Sequence, residues 1–288
     1  MSKNAIIMAA GMSTRFTPIS LEVPKALLRV KGEVLIERQI EQLREAGVKE
    51  IVIVIGYMKE KFSYLQKKYG VVLVENPVYQ TRNNHSTLYA AREYLGETFI
   101  CSGDNYFVEN VFLEKSSVSY YSAVFEEGDT KEWCLSVDCD GKIREVVIGG
   151  KDAWIMKGHA YFTKDFSEKF LPYLENAYMD MESKDKFWED IYREHIDELD
   201  MYIHKYRSGI VEEFDCIEEL REFDSWYRKN SGSKILQKLS KLLGSEEDEL
   251  EKFQPMLKCG VLKGCIFQHR NQSYSFDFET ECLKIREA

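Results

Sequence analysis

The run Ala9-Ala10-Gly11-Met12-Ser13-Thr14-Arg15, followed by Pro24-Lys25, carries the residue types of an anion grip. It leaves a short apolar stretch, Ala5-Ile6-Ile7-Met8, that reads as a buried strand. A glycine turn after a strand can aim consecutive backbone N–H groups at an anion. Arg15 offers phosphate oxygens a planar fork, and Lys25 offers a compact point charge. Alone, a glycine in this place marks only a strand-to-loop turn; the arginine and the Pro-Lys pair make it a triphosphate grip. Its spacing matches neither the GxxxxGK P-loop nor the GxGxxG dinucleotide turn.

Two carboxylates complement the grip. Asp104 follows an apolar strand, Thr98–Cys101, where a Mg²⁺ ligand belongs if the strand end faces phosphates. The same residue, before Asn105, would serve equally to open a turn. Asp215 is the second candidate ligand, and its alternative role is the N-cap of a helix over Cys216–Arg228. Mg²⁺ builds octahedral sites from few protein carboxylates, with phosphate oxygens and waters completing the shell.

The elements that must position these residues follow a strand–helix rhythm. Val34–Ala46 places Leu35, Ile36, Gln39, Ile40 and Leu43 at helical spacing before Gly47, and Glu50–Ile55 is a continuous β-branched run. Lys59–Tyr69 predicts a second helix ended by Gly70, Val71–Glu75 a third strand, and Ser86 the cap of a third helix running toward Gly96. Such alternation implies a mostly parallel sheet covered on both faces, with ligands at the carboxyl ends of its strands. From about Val118 the pattern changes. Strands are predicted at Val118–Phe125, Trp133–Val137, Ile143–Ile148 and near Gly158–Phe162, with a turn at Asp140-Gly141. Helices follow at Lys164–Tyr178 and Lys186–Glu198, then a strand at Met201–Tyr206. Asn230-Ser231-Gly232-Ser233 reads as a linker, Lys234–Phe253 as a helix pair, and Cys265–Gln268 with Tyr274–Phe278 as a hairpin around Asn271-Gln272.

The expected fold is therefore α/β, with a Rossmann-like, mixed but mostly parallel sheet flanked by helices. A β-hairpin and helical extension forms the acceptor side, and a small α+β appendage closes the chain. The expected domains are 1–229, divided into a nucleotide-binding half of about 1–117 and an acceptor half of about 118–229, and the appendage 230–288.

A net charge of −10 gives nucleic acid no broad basic face. No apolar run approaches membrane-spanning length, and no signal-peptide pattern opens the chain, so no membrane insertion is expected. The seven cysteines, Cys101, Cys134, Cys139, Cys216, Cys259, Cys265 and Cys282, are scattered and include no CxxC pair. They read as reduced thiols of a cytoplasmic protein without a zinc site.

These segments resemble the nucleotidyltransferases that activate small phosphorylated compounds, and within them the bacterial CTP:phosphocholine cytidylyltransferases of the LicC type. The similarity runs through Ala5–Arg15, Pro24–Leu27, Leu35–Gly56, Gly70–Asn76, Asn83–Tyr89, Gly103–Phe107, Glu132–Leu135, Phe187–Asp190, Ile196–Ile203 and Glu213–Leu220. It covers roughly residues 3–228. One departure is the shorter turn Gly11-Met12-Ser13-Thr14-Arg15, which keeps the glycine and arginine ends.

The resemblance implies roles. Ala9, Ala10, Gly11, Met12 and Ser13 would hold the nucleotide, Arg15 the outgoing β- and γ-phosphates, and Lys25 the α-phosphate and the acceptor phosphate. Asn84 and Ser86 would lie against cytosine and ribose, and Asp104 and Asp215 would hold Mg²⁺. Arg15, Lys25 and Asp104 would form the catalytic set. The acceptor is already a phosphate, whose second pKa of about 6 leaves it ionised at neutral pH, so no general base is expected.

Aromatics and acids address the acceptor. A trimethylammonium group makes no hydrogen bonds and is held by π faces. Trp133 and Trp188 match aromatic positions of the choline enzymes, with Tyr192 close by in sequence, and Glu132, Glu189 and Asp190 would complement the cation. A tryptophan on a strand or amphipathic helix is otherwise a core residue. His85 and His159 read as packing or orienting groups. The tail resembles the start of a choline-kinase-like amino-terminal lobe, which implies a vestigial packing or homodimerisation module. Its glycine-rich turn and strand lysine are missing, so kinase activity is not expected.

The implied partners are CTP and phosphocholine. A rival acceptor is 2-aminoethylphosphonate or phosphoethanolamine, because acids and aromatics are both present. A sugar-1-phosphate enzyme would need sugar-binding segments that this chain lacks. A non-catalytic nucleotide sensor would have no need of Arg15, Lys25, Asp104 and Asp215 together.

Overall fold

The computed structural model describes residues 3–258 and 261–286; Cys259 lies outside the described residues. The other six cysteines are free thiols, and among the described residues no helix is long and apolar enough to cross a membrane. The chain divides into two compact units, Met1–Gly11 with Val34–Glu213, and Met12–Glu33 with Phe214–Ala288.

The first unit is built on a seven-stranded mixed sheet. Strands β1 (Asn4–Ala9), β2 (Glu50–Ile55), β3 (Val72–Glu75) and β4 (Thr98–Ser102) run parallel, in the order β4-β1-β2-β3. Ala5, Ile6, Ile7, Val52, Ile53 and Val54 are sealed, which is why β1 and β2 read as unbroken apolar runs. Helices α1 (Leu35–Glu45), α2 (Ser63–Tyr69) and α3 (Asn84–Ala90) connect them. Three-residue β5 (Asn105–Phe107) leaves the sheet after β4.

Beyond them lies a long antiparallel hairpin, β6 (Tyr120–Val137) with β7 (Ile143–Phe162). The four short strands predicted here are the two halves of each of these. Between the halves the polar pairs Asp129↔Lys151 and Thr130↔Gly150 continue the ladder without an apolar signature. At the hairpin end, Asp138 Oδ1 accepts from the N–H groups of Asp140 and Lys142, and Gly141 takes φ 81°. α4 (Lys164–Met179), α5 (Trp188–Glu194), β8 (Tyr202–Tyr206) and β9 (Val211–Glu213) complete the unit, β8 pairing with β6 and β9 antiparallel to β5.

Several boundaries depart from expectation, among them the helix predicted over Lys186–Glu198, which spans only Trp188–Glu194, and the third helix, which ends at Ala90. Asn83 caps α3 through its Oδ1, while Ser86 lies inside the helix and donates back to the Asn83 carbonyl. The helix predicted over Lys59–Tyr69 begins as a 3₁₀ turn, Lys59–Phe62. The Cys216–Arg228 helix of the second unit breaks at Asp224 into α6 (Ile217–Phe223) and α7 (Trp226–Lys229).

In that second unit α8 (Lys234–Leu243) is one helix, ended by Gly244 at φ 63°. The rest of the predicted helix pair is an acidic 3₁₀ turn, Glu247–Glu249, and the start of a strand. Strands β10 (Glu251–Lys258), β11 (Val261–His269), β12 (Gln272–Asp277) and β13 (Cys282–Arg286) form an antiparallel sheet in sequence order. Its β11–β12 turn falls on Arg270-Asn271, φ 47° and 64°, one residue earlier than predicted.

Candidate active site

The carboxyl ends of β1, β2 and β4 meet at one edge of the first unit. Met8 pairs with Ser102 in register, and the Gly103 N–H donates to the Met8 carbonyl at 2.9 Å. Asp104 therefore lies one turn from Ala9-Ala10-Gly11 and is half-buried. Tyr57 N–H donates to the Ala10 carbonyl at 3.0 Å. A Cβ on Gly56 would stand 2.9 Å from that carbonyl oxygen and 2.8 Å from the Tyr79 ring, so only glycine permits this approach.

The Asp104 turn is held from below by α1. Gln39, fully buried, donates from Nε2 to the carbonyls of Ser102 and Asn105, both at 2.8 Å. The two bonds straddle Asp104. Gln42 and Arg38 donate to the Phe107 carbonyl next along.

At the neighbouring strand end, Asn76 is buried and donates to Ser86 Oγ at 3.0 Å and Thr87 Oγ1 at 3.1 Å. Asn84 accepts from the Trp188 N–H at 2.7 Å and donates to Glu189 at 3.1 Å. The residue expected at the base thus also ties the α3 amino end to α5. His85 backs this junction: its Nδ1 lies 2.6 Å from the Lys186 carbonyl, and burial lowers its pKa.

Glu189, expected on the acceptor side, carries two hydrogen bonds. One carboxylate oxygen accepts from Asn84 and the other from Tyr121 Oη at 3.2 Å. Desolvation by burial outweighs these bonds and pushes its carboxyl up to about 7. Trp133 is half-buried, with Phe187 edge-on at 6.0 Å and the Arg193 guanidinium 5.3 Å from its ring. Trp188 and Tyr192 are 1% and 0% exposed and belong to the apolar core. Trp188 lies nearly parallel to Tyr121 at 5.7 Å and edge-on to Phe162.

In the second unit Ser13 takes left-handed φ 48°, ψ 49°, and opens the 3₁₀ turn Thr14–Phe16. Exposed Arg15 pairs with Asp215, Nη1 to Oδ2, at 2.7 Å. Asp215 caps no helix: Cys216 occupies that position without a side-chain bond, and the Asp215 N–H donates to Glu219. Lys25 is 7% exposed, its Nζ 5.7 Å from the Phe16 ring centroid.

As donors, Asp104 and Asp215 are hard carboxylate oxygens, and among the described residues no three histidine, cysteine or acidic side chains cluster as a protein-built metal cage. Each is by itself a donor suited to a cation completed by phosphate and water, as Mg²⁺ is, and not to a closed zinc site. Gly56 and the clamp by Gln39 were missed in the sequence. Gln39 did leave a signal, as an amide within the apolar stripe of α1.

A MobA-like NTP transferase domain matches residues 5–140. The choline-phosphate cytidylyltransferase of Streptococcus pneumoniae is 36% identical over 220 residues, spanning 76% of this chain and 96% of that protein. The chain belongs to the MobA-like NTP transferases. It is a nucleotidyltransferase, and other relatives are cytidylyltransferases as well. The 2-aminoethylphosphonate cytidylyltransferase of Lancefieldella rimae is 40% identical over 228 residues, 78% of this chain and 93% of that one. Among solved structures, the Streptococcus pneumoniae CTP:phosphocholine cytidylyltransferase superposes with a TM-score of 0.75 at 35% identity, covering 78% of this chain and 99% of that one. A putative glucose-1-phosphate thymidylyltransferase of Bacillus anthracis, at 16% identity and TM-score 0.64, shares the fold of these transferases.

Proposed function

We propose that the chain transfers CMP from CTP to phosphocholine, releasing pyrophosphate and forming CDP-choline. The observation that carries the reading is Glu189, a desolvated carboxylate aimed by Asn84 and Tyr121; Trp133 adds a half-buried ring that the Arg193 guanidinium also faces. A buried carboxylate without a cation is costly, and a quaternary ammonium neutralises it without needing hydrogen bonds. Trp188 and Tyr192 lie in the core, Trp188 nearly parallel to Tyr121. The catalytic domain is residues 1–229, consistent with relatives whose own lengths are nearly used up by the match. A cytoplasmic location accords with free thiols and a nucleotide substrate.

Backbone N–H groups from Ala9 to Ser13 bind the nucleotide phosphates, and Asn84 and Ser86 border the base and ribose. Arg15 neutralises the β- and γ-phosphates, and Lys25 draws the acceptor phosphate onto the α-phosphorus. The reaction brings two anions together, so catalysis is placement and charge neutralisation. Asp104 and Asp215 would hold Mg²⁺, which would supply further neutralisation of the triphosphate. Arg15 and Asp215 form an exposed pair of low intrinsic strength, so each would be available to phosphate or cation.

A second reading changes the acceptor to 2-aminoethylphosphonate or phosphoethanolamine. It is favoured by the sealing of Trp188 and Tyr192, which leaves fewer open π faces than a full aromatic box and a carboxylate able to accept N–H bonds. Pyrophosphate release with CTP and each acceptor separates the two. Turnover of phosphocholine at least tenfold above the primary amines supports the first; the reverse order establishes the second. Release with none of the pairs refutes both.

A further inference from the structure

Glu22 lies between the two basic residues of the grip and reaches far along the chain. It ends the 3₁₀ turn Ile19–Leu21 and stands three residues before Lys25. Its carboxylate accepts from the Lys234 N–H at 2.9 Å, the Ile235 N–H at 2.8 Å and Ser233 Oγ at 3.2 Å. Ser233 in turn caps α8, its Oγ accepting from the Leu236 N–H at 3.1 Å. A carboxylate thus sits on the positive end of a ten-residue helix, satisfying donors that the helix leaves open. Two further bonds fasten the same segment: the Lys31 N–H donates to Asp224 at 2.7 Å, and Tyr227 Oη donates to the Arg29 carbonyl at 2.9 Å. Both cytidylyltransferase relatives are matched over more than nine-tenths of their length by less than four-fifths of this chain, so this chain has more residues than their alignments use.

The link from Glu22 to Lys25 is short and stiff. Pro24 is buried with φ −55°, and a 3₁₀ turn begins at Lys25, closed by Leu27 N–H to the Pro24 carbonyl at 2.8 Å and Leu28 N–H to the Lys25 carbonyl at 3.0 Å. Movement of Glu22 is therefore passed to the lysine.

We propose that Glu22 is a positioning residue: by capping α8 it fixes Lys25, and the C-terminal module is thereby a working part of the phosphate grip. The proposal rests on reading Arg15 and Lys25 as phosphate ligands. It does not make Glu22 touch substrate.

The test uses the full chain with Glu22→Ala, Glu22→Gln, Ser233→Ala and the Glu22→Ala/Ser233→Ala double variant, and reads pyrophosphate release against CTP and phosphocholine separately. A positioning error of an ångström costs up to about 100-fold. Expected for Glu22→Ala is a fall of about 10–100-fold in kcat/KM for CTP, with KM for phosphocholine raised alongside it, because Lys25 also draws in the acceptor phosphate. Glu22→Gln, which keeps one acceptor oxygen, falls between. Ser233→Ala lowers the same parameter a few-fold, and the double variant is no worse than Glu22→Ala because both act through one contact. If Glu22→Ala does not fold, Glu22→Gln and Ser233→Ala carry the test. A lowered melting temperature with unchanged kcat/KM for CTP overturns the proposal. Lys25→Ala separates the causes: if it abolishes turnover while the Glu22 variants match wild type, the positioning role alone falls. If Lys25→Ala is also fully active, the phosphate reading falls with it.

Discussion

Replacing Glu189 by glutamine keeps the shape of the acceptor side and removes its charge. The amide oxygen can still accept from Asn84, and the Tyr121 hydroxyl can turn to accept from the amide nitrogen. In the wild type the carboxyl titrates near 7 rather than 4.5, which at about 1.4 kcal/mol per pH unit amounts to about 3 kcal/mol against ionisation. Partial exposure screens some of that, leaving about 1–2 kcal/mol. A substrate cation about 4–5 Å away, at an effective dielectric of about 20, recovers about 4 kcal/mol. Glu189→Gln should therefore raise KM for phosphocholine about 10–100-fold, with kcat at saturation nearly unchanged, the pattern of lost uniform binding. The pH dependence has a definite sign. Below about 7 the wild-type carboxyl becomes neutral and acceptor binding weakens; in the variant that part of the profile disappears. Stability runs the other way, because a raised carboxyl pKa favours the fold at low pH and is lost as pH rises through about 7. At pH 8 the variant should melt about 2–6 °C above wild type, and the gap should close toward pH 4.5. An unchanged KM at pH 8, together with no pH-dependent gap in melting temperature, would refute the assignment.

Four other variants follow from the site. Lys25→Ala and Asp104→Ala should each lower pyrophosphate release by several powers of ten while circular dichroism stays that of wild type; near-normal turnover would remove that residue from the mechanism. Gly56→Ala forces a methyl group to 2.9 Å from the Ala10 carbonyl oxygen; a loss of about 1–3 kcal/mol in denaturant unfolding and a raised KM for CTP are expected, and wild-type values for both would disprove the close approach. Gln39→Leu leaves the Ser102 and Asn105 carbonyls without their shared donor, at a cost of about 1–3 kcal/mol. Mn²⁺ binding to the CTP complex, followed by electron paramagnetic resonance, should weaken in step, and unchanged binding would separate Gln39 from Asp104.

The parallel half of the sheet was legible because its strands are sealed on both faces and so appear as unbroken apolar runs. The hairpin's turn and the two halves of each strand were legible as well; its middle was not, since Glu126–Lys131 and Gly149–Ala153 pair without burying an apolar face and leave no alternation to read. The end of the predicted helix pair failed for a local reason: Phe253 and Met256 suit a helix stripe as well as a strand, and strand pairing decides between them. Within the site, residue type marked the grip and the acids. It did not distinguish half-open Trp133 from core Trp188, because a tryptophan's burial is set by what packs on it. Gly56 and Gln39 act on backbone carbonyls distant in sequence, and no spacing rule announces such partners.

The second compact unit is assembled from two pieces of chain with Val34–Glu213 of the first unit between them. Glu22 finds Ser233 only 211 residues later and the Lys234 N–H 212 residues later. At synthesis rates of about 5–20 residues per second, a nascent chain waits roughly 10–40 s between making the glutamate and making its partner. The parallel sheet can form in that interval, whereas the loop bearing Arg15 and Lys25 gains its fastening only near the end of translation. With Glu22 as a positioning residue, a nascent chain still short of Ser233 has an unfastened grip, and damage to the last helix reaches a segment more than two hundred residues earlier.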